Sequence, residues 1–308
     1  MLALYIVLGI LGLLLIIFLV TLIVLHHVTF YTPIKTQNDD FHLTESTQFV
    51  GVEKDVYQLI VTLRQQQCEH VYTTSFDNLK LHARLYLNNK SNKVVLMFHG
   101  YRGTAIRDFS GGALHMIKSG YNVLLVDERG HGESEGHNIT FGIREKRDVL
   151  TWFEFAKKKF GEDKEYIFVG ISMGAATILF ASKYIDGHHK FICDCPYPTV
   201  REVLSSFIEK LNLPSKVFYP LLNVTSIIFS HTNLNQDNAY ESVKKSNHKY
   251  LIIHGETDTV VPYKFSYLLY TENKEKVRYE LFPNTDHGVS YLTDTPRYLK
   301  AIDDFLAE

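Results

Sequence analysis

The pentapeptide at residues 170–174, Gly-Ile-Ser-Met-Gly, constrains the fold of this chain more than any other feature. It follows the run 166–169, which is apolar and rich in strand formers. The run 175–181 after it has the composition of a helix that packs close to that strand. A Gly-x-Ser-x-Gly segment in this setting predicts a nucleophile elbow, a strained turn that points the serine hydroxyl out of the sheet. Ser172 is therefore the first candidate catalytic residue.

The rest of the chain alternates between short apolar runs and helical patterns. Residues 53–64 and 149–160 carry apolar side chains at helical spacing. Residues 71–74 and 79–87 predict a hairpin that precedes the apolar runs. Runs that are apolar on both faces and joined by helices predict a mixed, mostly parallel sheet with helices on both faces. The runs are 94–98, 123–126, 166–169, 191–193 and 250–253, with a last strand predicted at 279–282.

A long insertion interrupts this alternation between two predicted strands. Residues 196–247 form a connection of about fifty residues, several times the usual length. Apolar side chains recur at helical spacing within 203–211 and again within 224–229. We interpret the insertion as a helical lid over the active site, because it follows a sheet strand and precedes the predicted catalytic acid. The alternative is an ordinary insertion on the outside of the fold.

The N-terminal segment differs in kind from the rest. Residues 2–25 contain no charged side chain, and a helix of this length covers about 36 Å, more than the roughly 30 Å of a hydrocarbon core. We predict a single-pass membrane anchor at 1–28, a polar stalk at 29–48 and the main domain at 49–308. A cleaved signal peptide is disfavoured because the apolar run is too long and no basic residue precedes it. A buried core helix is rarely apolar all round over this length, and the flanking charges select neither side of the membrane.

Composition argues against several other functions. Hydrophobic residues make up 45% of the 308 residues and the net charge is −2, which disfavours disorder and a polyanionic partner. Lys and Arg are scattered rather than gathered in a basic stripe, so nucleic-acid binding is not expected. The cysteines, Cys68, Cys193 and Cys195, are odd in number and show no metal-ligand spacing. We expect them to fill space, with no metal bound.

A serine nucleophile needs a base to take its proton and an acid to orient that base. Asp258 follows the run 250–253 in a sharp turn, at the carboxyl edge of the predicted sheet, where sites in α/β folds collect. His287 lies in the loop after the last predicted strand and is the natural base. Asp194, after an earlier strand, is the alternative acid. Asp286 adjoins the base and is interpreted as a loop residue.

The oxyanion of an acyl-transfer transition state needs hydrogen-bond donors. We expect one donor to be the backbone N–H of Met173, directly after the nucleophile. The second should come from the loop after the run 94–98, where we choose the N–H of Tyr101. His99 is expected to hold that loop by hydrogen bonds. Arg102 is expected to be exposed or paired with an acid, with an anionic substrate group as the alternative partner.

Several motifs together carry a family resemblance. From about residue 70 onwards the chain resembles the α/β-hydrolase superfamily, in particular its serine aminopeptidase (S33) and monoacylglycerol-lipase-like branch, and overall it looks like membrane-anchored bacterial hydrolases. The resemblance implies the α/β-hydrolase fold, a triad of Ser172, Asp258 and His287, and no cofactor. The motifs are His-Gly-Tyr at 99–101, Asp-Glu-Arg-Gly-His-Gly-Glu-Ser at 127–134, the pentapeptide at 170–174, Gly-Glu-Thr-Asp at 255–258 and Asp-His-Gly at 286–288.

The preferred functional hypothesis is a membrane-anchored serine hydrolase that cleaves carboxylic esters through an acyl-enzyme on Ser172. An acyl or aromatic ester is expected as substrate, and a lipid-derived ester fits the apolar lid and the anchor. A serine peptidase or amidase is the alternative, with Glu241 and Glu256 as candidate partners of a substrate ammonium group. A non-catalytic binding protein is a weaker alternative, because the sequence retains all three triad candidates.

Overall fold

The structure is a computed structural model that describes residues 1–32, 39–43, 49 and 51–308. Its strands are β1 (Glu69–Thr74), β2 (Lys80–Tyr86), β3 (Lys93–Phe98), β4 (Asn122–Asp127), β5 (Glu165–Ile171), β6 (Lys190–Asp194), β7 (Lys249–Gly255) and β8 (Val277–Phe282). Its helices are α1 (Leu2–Thr29), α2 (Glu53–Arg64), α3 (Ala105–Lys118), α4 (Glu145–Phe160), α5 (Met173–Ser182), α6 (Val200–Lys210), α7 (Ser215–Ser230), α8 (Ala239–Lys245), α9 (Tyr263–Glu272), α10 (Ser290–Thr293) and α11 (Thr295–Ala307).

The strands form one mixed sheet in the order β1-β2-β4-β3-β5-β6-β7-β8. β2 pairs antiparallel with β1 and with β4, whereas the pairs from β4–β3 to β7–β8 are parallel. The central strands are buried along nearly their whole length, as expected of parallel strands covered on both faces. The predicted sheet is therefore confirmed, and the carboxyl ends of β5 to β8 meet at one edge.

Helices cover both faces of this sheet and bury two separate apolar layers. One layer packs α2, α3 and α11 against the sheet and includes Ile60, Phe109 and Ile302. The other packs α4 and α5 against the opposite face and includes Trp152 and Ile178. α4 ends where Gly161 adopts a φ of 103°, a conformation that favours glycine.

The N-terminal helix stands apart from these layers. Within the described residues, α1 is the one helix long and apolar enough to cross a membrane. Residues 1–20 are exposed, and Leu22 is the first buried side chain of the chain. An exposed helix without a polar face is unfavourable in water, so the predicted transmembrane anchor remains the interpretation that its composition supports.

The segment after α1 enters the main domain at once. Phe30 is fully buried, and its carbonyl accepts a hydrogen bond from the N–H of Ile139 at 2.8 Å. Tyr31 forms an antiparallel bridge with Asn138. Much of the predicted stalk, residues 33–38 and 44–48, lies outside the described residues.

The insertion at 196–247 contains three helices, α6, α7 and α8. Apolar side chains of α6 and α7, among them Val203, Leu204 and Leu222, join the same layer as α4 and α5. Phe207 of α6 lines a cleft that also contains Ser172. The helical insertion is therefore present beside the candidate site, and its role as a lid over that site remains a prediction.

Candidate active site

The pentapeptide forms a sharp turn between β5 and α5. Ser172 adopts φ 52° and ψ −112°, a conformation that a non-glycine residue rarely takes. Glycine is required on both sides because the chain packs tightly here. A Cβ at Gly174 would overlap the carbonyl of Phe98, and one at Gly170 would overlap the backbone of the following turn. The strained turn presents the serine hydroxyl at the carboxyl edge of the sheet, which is the geometry of a nucleophile elbow.

Three side chains from three loops join in one hydrogen-bonded chain at this edge. His287 follows β8, and its Nε2 lies 2.8 Å from Ser172 Oγ. The other ring nitrogen, Nδ1, lies 2.8 Å from Asp258 Oδ2, in the turn after β7. Because an ionised carboxylate can only accept, Nδ1 carries the proton and Nε2 is left to accept from the serine hydroxyl. The structure thus brings together the serine, base and acid proposed from the sequence.

The surroundings of Asp258 keep its carboxylate charged. Oδ1 accepts the backbone N–H groups of Val260 and Val261 at 2.8 and 2.7 Å. Oδ2 faces both His287 and Nε2 of His254, the latter at 3.1 Å. Burial alone would raise the pKa of Asp258, but His287 and the hydrogen bonds from both histidines hold the pKa well below its usual range. The acid is therefore ionised at neutral pH, as the orienting partner of an imidazole must be.

The two other acidic residues weighed from the sequence have different surroundings. Asp286 accepts hydrogen bonds from the N–H groups of Thr259 and His287 at 2.7 and 2.8 Å, so it ties the turn of the acid to the loop of the base. This agrees with its interpretation as a loop residue. Asp194 instead bonds the side chain of Tyr298, and its burial raises its pKa to about 6. Asp258 is the acid that contacts the base.

Backbone donors lie on either side of the serine. Met173 is the first residue of α5, so its N–H belongs to the helix start, where amides lack partners within the helix and the dipole favours an anion. The Gly100–Tyr101 backbone runs beside the nucleophile, since a Cβ on Gly100 would lie 3.6 Å from Ser172 Cβ. Asp108 fixes this backbone by accepting the N–H of Gly100 at 2.9 Å. The N–H groups of Met173 and Tyr101 remain our candidates for the oxyanion hole.

Two neutral histidines hold the loop that carries Tyr101. His99 bonds the carbonyl of Gly100 through Nδ1 at 2.9 Å and accepts the N–H of Glu128 through Nε2 at 3.1 Å. Nε2 of His131 accepts the N–H of Arg102 at 3.1 Å. Burial, together with the neighbouring His99, lowers the pKa of His131 to about 3. His131 is therefore neutral at physiological pH, which is the state that can accept this hydrogen bond.

The loop that carries Tyr101 and Arg102 also binds the end of α1. The Arg102 guanidinium donates to the carbonyls of Val28 and Tyr31 at 2.8 and 3.2 Å. The hydroxyl of Tyr101 donates to the carbonyl of Thr29 at 2.8 Å. The expected exposure of Arg102 is found, but its partners are helix-end carbonyls rather than an acid. The loop that carries the candidate oxyanion donor Tyr101 is therefore hydrogen-bonded directly to the end of α1.

A cleft of about 390 Å³ opens above Ser172 and His287. Its walls are mostly apolar, with Phe207 from α6 and Leu59 from α2 among them. The charged residues that line it are Arg102, Arg107, Asp108 and Asp194. The two glutamates considered for an aminopeptidase, Glu241 and Glu256, are exposed and do not belong to the described lining.

Cys195 is the nearest competing nucleophile. Its Sγ lies 3.8 Å from Nε2 of His287. Burial, followed by the charges of Asp194 and Asp258, raises the thiol pKa well above its usual range. The sulfur therefore stays a neutral thiol, which fits the space-filling role expected for it.

Sequence reasoning missed three supporting residues. His254 contacts the acid, Asp108 holds the backbone beside the serine, and His131 accepts from the loop next to Tyr101. The His131–Arg102 contact joins residues 29 apart, whereas the other two contacts join residues four and eight apart and depend on how a turn and a loop fold. His131 lies within the motif at 127–134, and no local pattern distinguishes the other two.

Comparisons with known proteins agree with the fold. The sequence model of the serine aminopeptidase S33 family matches residues 89–242, half of the chain. Uncharacterized protein YqkD of Bacillus subtilis is 26% identical over 216 residues, covering 69% of this chain and 70% of YqkD. Lysophosphatidylserine lipase ABHD12 of Danio rerio is 27% identical over 231 residues, covering 70% of this chain and 58% of the lipase. The chain therefore spans less than two thirds of that lipase.

A solved structure shows the same architecture. Esterase Pf2001 of Pyrococcus furiosus superposes with a TM-score of 0.66 at 22% sequence identity, covering 91% of this chain and 98% of the esterase. The fold and the strand-turn-helix position of Ser172 define the protein as an α/β hydrolase. Within that class, the chain belongs to the serine aminopeptidase S33 family.

Proposed function

We propose that this protein is a serine esterase that hydrolyses membrane-derived carboxylic esters. The observation that carries the proposal is the hydrogen-bonded chain from Ser172 through His287 to Asp258 at the base of an apolar cleft. An unassisted serine hydroxyl is a weak nucleophile because it stays protonated at neutral pH. An adjacent, oriented base activates it by taking the proton. The ionised carboxylate of Asp258 accepts the Nδ1–H of His287, which leaves Nε2 to face the serine hydroxyl.

The reaction follows from these positions. His287 Nε2 takes the proton of Ser172 as Oγ attacks the ester carbonyl, and the backbone N–H groups of Met173 and Tyr101 stabilise the oxyanion. His287 then gives its proton to the leaving alkoxide, which leaves an acyl group on Ser172. Water activated by the same imidazole releases the acid. Asp258 holds Nδ1–H throughout and stabilises the imidazolium that forms twice in each cycle.

Three observations support a lipid-like ester as the substrate. The cleft is mostly apolar and offers space of the size that ligand pockets use. The loop that bears Tyr101 is bound directly to α1, so an anchor that crosses the bilayer would hold the site at its surface. Two similar proteins are named as a lysophosphatidylserine lipase and an esterase. We therefore propose a monoacyl ester with a polar leaving group.

A peptidase remains the second candidate because the family name specifies an aminopeptidase. An aminopeptidase needs a free carboxylate close to the serine to bind the substrate ammonium. Asp108 in the cleft is already engaged by Gly100 and Arg107. Asp194 bonds Tyr298, and burial raises its pKa to about 6. These engagements favour ester over aminoacyl substrates.

The test compares two substrate series on the full-length protein in detergent. One series consists of p-nitrophenyl esters and monoacyl lipids of increasing chain length, and the other of aminoacyl p-nitroanilides. We expect turnover of the esters, with longer acyl chains preferred, and a loss of about 10⁴-fold or more in kcat for Ser172→Ala. Faster turnover of aminoacyl anilides than of esters would instead assign the peptidase function.

A further inference from the structure

Exposed aliphatic side chains outside α1 are concentrated in one region. In the described part of the chain, six of the nine exposed Val, Leu and Ile residues outside α1 belong to α7 and to the turn before it. We call these six residues the apolar face. They are Leu211, Leu213, Val217, Val224, Ile227 and Ile228.

The apolar face lacks the charges that normally cover a solvent-facing helix. The members in α7 recur at intervals of seven, three and one residues, which places them on one side of the helix. The single charged residue among the sixteen of α7 is Lys216, in its first turn. A soluble helix usually carries several charged residues on its exposed side, so this face is built for an apolar environment.

The apolar face is attached firmly to the apolar helix α1. α7 packs against α1, and the ring of Phe229 stacks on His26 with centroids 4.7 Å apart. The end of α1 is also held by Arg102 and Tyr101 through three hydrogen bonds to backbone carbonyls. The end of α1 is thus joined to the domain by packing and hydrogen bonds, so the direction of α1 bears on how the domain sits on a bilayer.

The length of the exposed part of α1 matches the thickness of a bilayer's hydrocarbon core. The first stretch of α1, residues 2–20, is exposed and would cover about 28 Å at 1.5 Å per residue, close to the roughly 30 Å of a hydrocarbon core. Contact with the domain starts at Leu22, directly after that length. α7, which packs against this last part of α1, therefore lies at the level of the bilayer surface.

We propose that the apolar face lies in the interfacial layer of the lipid bilayer that α1 crosses. The partner is the lipid itself, which would surround both α1 and α7 with the same apolar medium. Helices with one apolar side bury that side about 5–10 Å into the headgroup and acyl boundary. Lys216 at the margin fits the phosphate level of the same layer.

This position would also bring substrate to the site. Phe207 lines the cleft, and Leu211 of the apolar face follows it by one helical turn of the α6 region. A lipid ester leaving the bilayer at the apolar face would therefore meet the cleft within one turn of helix. That consequence rests on the proposed function, whereas the position of the face does not.

The test places an environment-sensitive fluorophore on the apolar face. Ile228→Cys would be labelled with NBD in the full-length protein and reconstituted in phosphatidylcholine vesicles with and without headgroup-proximal doxyl lipids. Leu268→Cys on α9 is the matched control, because Leu268 and Ile228 are 48% and 49% exposed. Labelled wild type gives the background from native cysteines.

We expect doxyl lipids to reduce NBD emission at position 228 by about twofold or more, and to leave position 268 near its value in plain vesicles. Equal, weak quenching at both positions would overturn the proposal. Self-quenching between labels at position 228 without doxyl quenching would also overturn it, since it would place a second copy of the chain on the face. Neither fluorescence readout depends on Ser172. A failure of the proposed esterase function is therefore distinguishable from a failure of the proposed position of the apolar face.

A second inference comes from a separate cluster of metal-ligating side chains on β1, β2 and the loop after β4. His70 Nδ1 lies 2.9 Å from His82 Nε2, and Glu133 Oε1 lies 3.4 and 3.8 Å from these two atoms. The point equidistant from the three atoms lies about 2.0 Å from each, which is the length of Zn–N and Zn–O bonds. The three side chains already have the spacing of a metal triad.

Neighbouring groups favour the ligating state of His82. Its Nδ1 lies 2.7 Å from Asp127 Oδ2, so Nδ1–H donates and the lone pair of Nε2 faces the cluster. A cleft of about 240 Å³ lined by His70 and Glu133 leaves room for water as a fourth ligand. Arg84 Nη2 lies 4.0 Å from the same Glu133 oxygen, and its positive charge opposes a bound cation.

The geometry points to a zinc site formed by His70, His82 and Glu133. Nitrogen and carboxylate donors suit this ion, and a single open position is typical of three-ligand sites. The ion would tie the β1–β2 hairpin to the loop at 127–134. That loop carries His131, which accepts the N–H of Arg102 beside the candidate oxyanion hole.

The test is calorimetric titration of Zn²⁺ into chelator-treated, full-length protein in detergent. We expect one site in wild type and affinity weakened more than about tenfold in His70→Asn and in Glu133→Gln. His115→Asn is the control, since His115 is a partly exposed histidine paired with Asp303 elsewhere. Absence of binding in wild type, or unchanged binding in His70→Asn, would show that the contacts form only a hydrogen-bonded chain.

Discussion

Replacement of Asp258 by Asn tests the orientation of the base through a structural detail of this site. Oδ1 of Asp258 accepts two backbone N–H groups, from Val260 and Val261. In the Asn variant the amide oxygen must take that position, because an amide NH₂ there would face two donors. The NH₂ group then occupies the place of Oδ2, beside Nδ1 of His287 and Nε2 of His254.

This placement reverses the hydrogen bond to the base. The amide donates to Nδ1 of His287, which moves the ring proton to Nε2, where it can no longer accept from Ser172. The same substitution in a serine protease triad lowers kcat by about 10⁴-fold, which corresponds to about 5 kcal/mol in the activation free energy. We expect a loss of that order in kcat for Asp258→Asn, with KM nearly unchanged because the substituted atom faces away from the cleft.

The assay is hydrolysis of a p-nitrophenyl ester by the full-length protein, with circular dichroism and thermal melting as controls for the fold. Asp194→Asn is the matched variant, because Asp194 is the other acid near the base and bonds Tyr298 instead. Its kcat should stay within about tenfold of wild type. If Asp194→Asn lost activity and Asp258→Asn retained it, the assignment of the acid would be refuted.

Three further predictions concern stability. Gly174→Val should lower the free energy of unfolding by about 3 kcal/mol or more in chemical denaturation, because any Cβ overlaps the backbone carbonyl of Phe98; an unchanged value would contradict the described elbow. In the folded protein the pKa of His131 is about 3, so its imidazole stays neutral. In the unfolded chain the same imidazole binds a proton below about pH 6.5. The free energy of unfolding therefore falls as the pH drops below about 6.5. Between pH 6.5 and pH 5 this linkage lowers the free energy of unfolding by about 1.7 kcal/mol, so His131→Gln should show a fall smaller by that amount in urea titrations; equal falls would exclude the buried neutral state. Arg102→Ala should lower the unfolding free energy in detergent by about 1 kcal/mol, because two carbonyls at the end of α1 lose their donor. No change would mean that these two hydrogen bonds contribute little to stability.

Local patterns predicted the elements that position the site. The run 166–169 lies within β5, and the predicted turn at Ser172 is the point where the chain leaves the sheet for α5. Asp258 and His287 were placed after strands, and parallel strands bring such loops to one edge. These predictions depend on period, strand length and glycine position, which are properties of short segments.

Contacts that depend on how turns and loops fold could not be predicted in the same way. His254 is a strand-end residue in sequence, and its contact with Asp258 appears only when the turn after β7 folds back. Phe30 stood in a segment predicted as a polar stalk, yet it is fully buried against the domain. His70, His82 and Glu133 meet across a hairpin and a loop. A single aromatic or histidine side chain carries no periodic signal, so its burial depends on the whole fold.

The most direct test of the central claim is covalent labelling of the full-length protein with a fluorophosphonate, followed by peptide mass spectrometry. This reagent phosphonylates a serine only when a base activates it. We predict an adduct on Ser172, abolished in Ser172→Ala and strongly slowed in His287→Ala. A folded wild-type protein that is not labelled, or an adduct that persists in Ser172→Ala, would contradict the account.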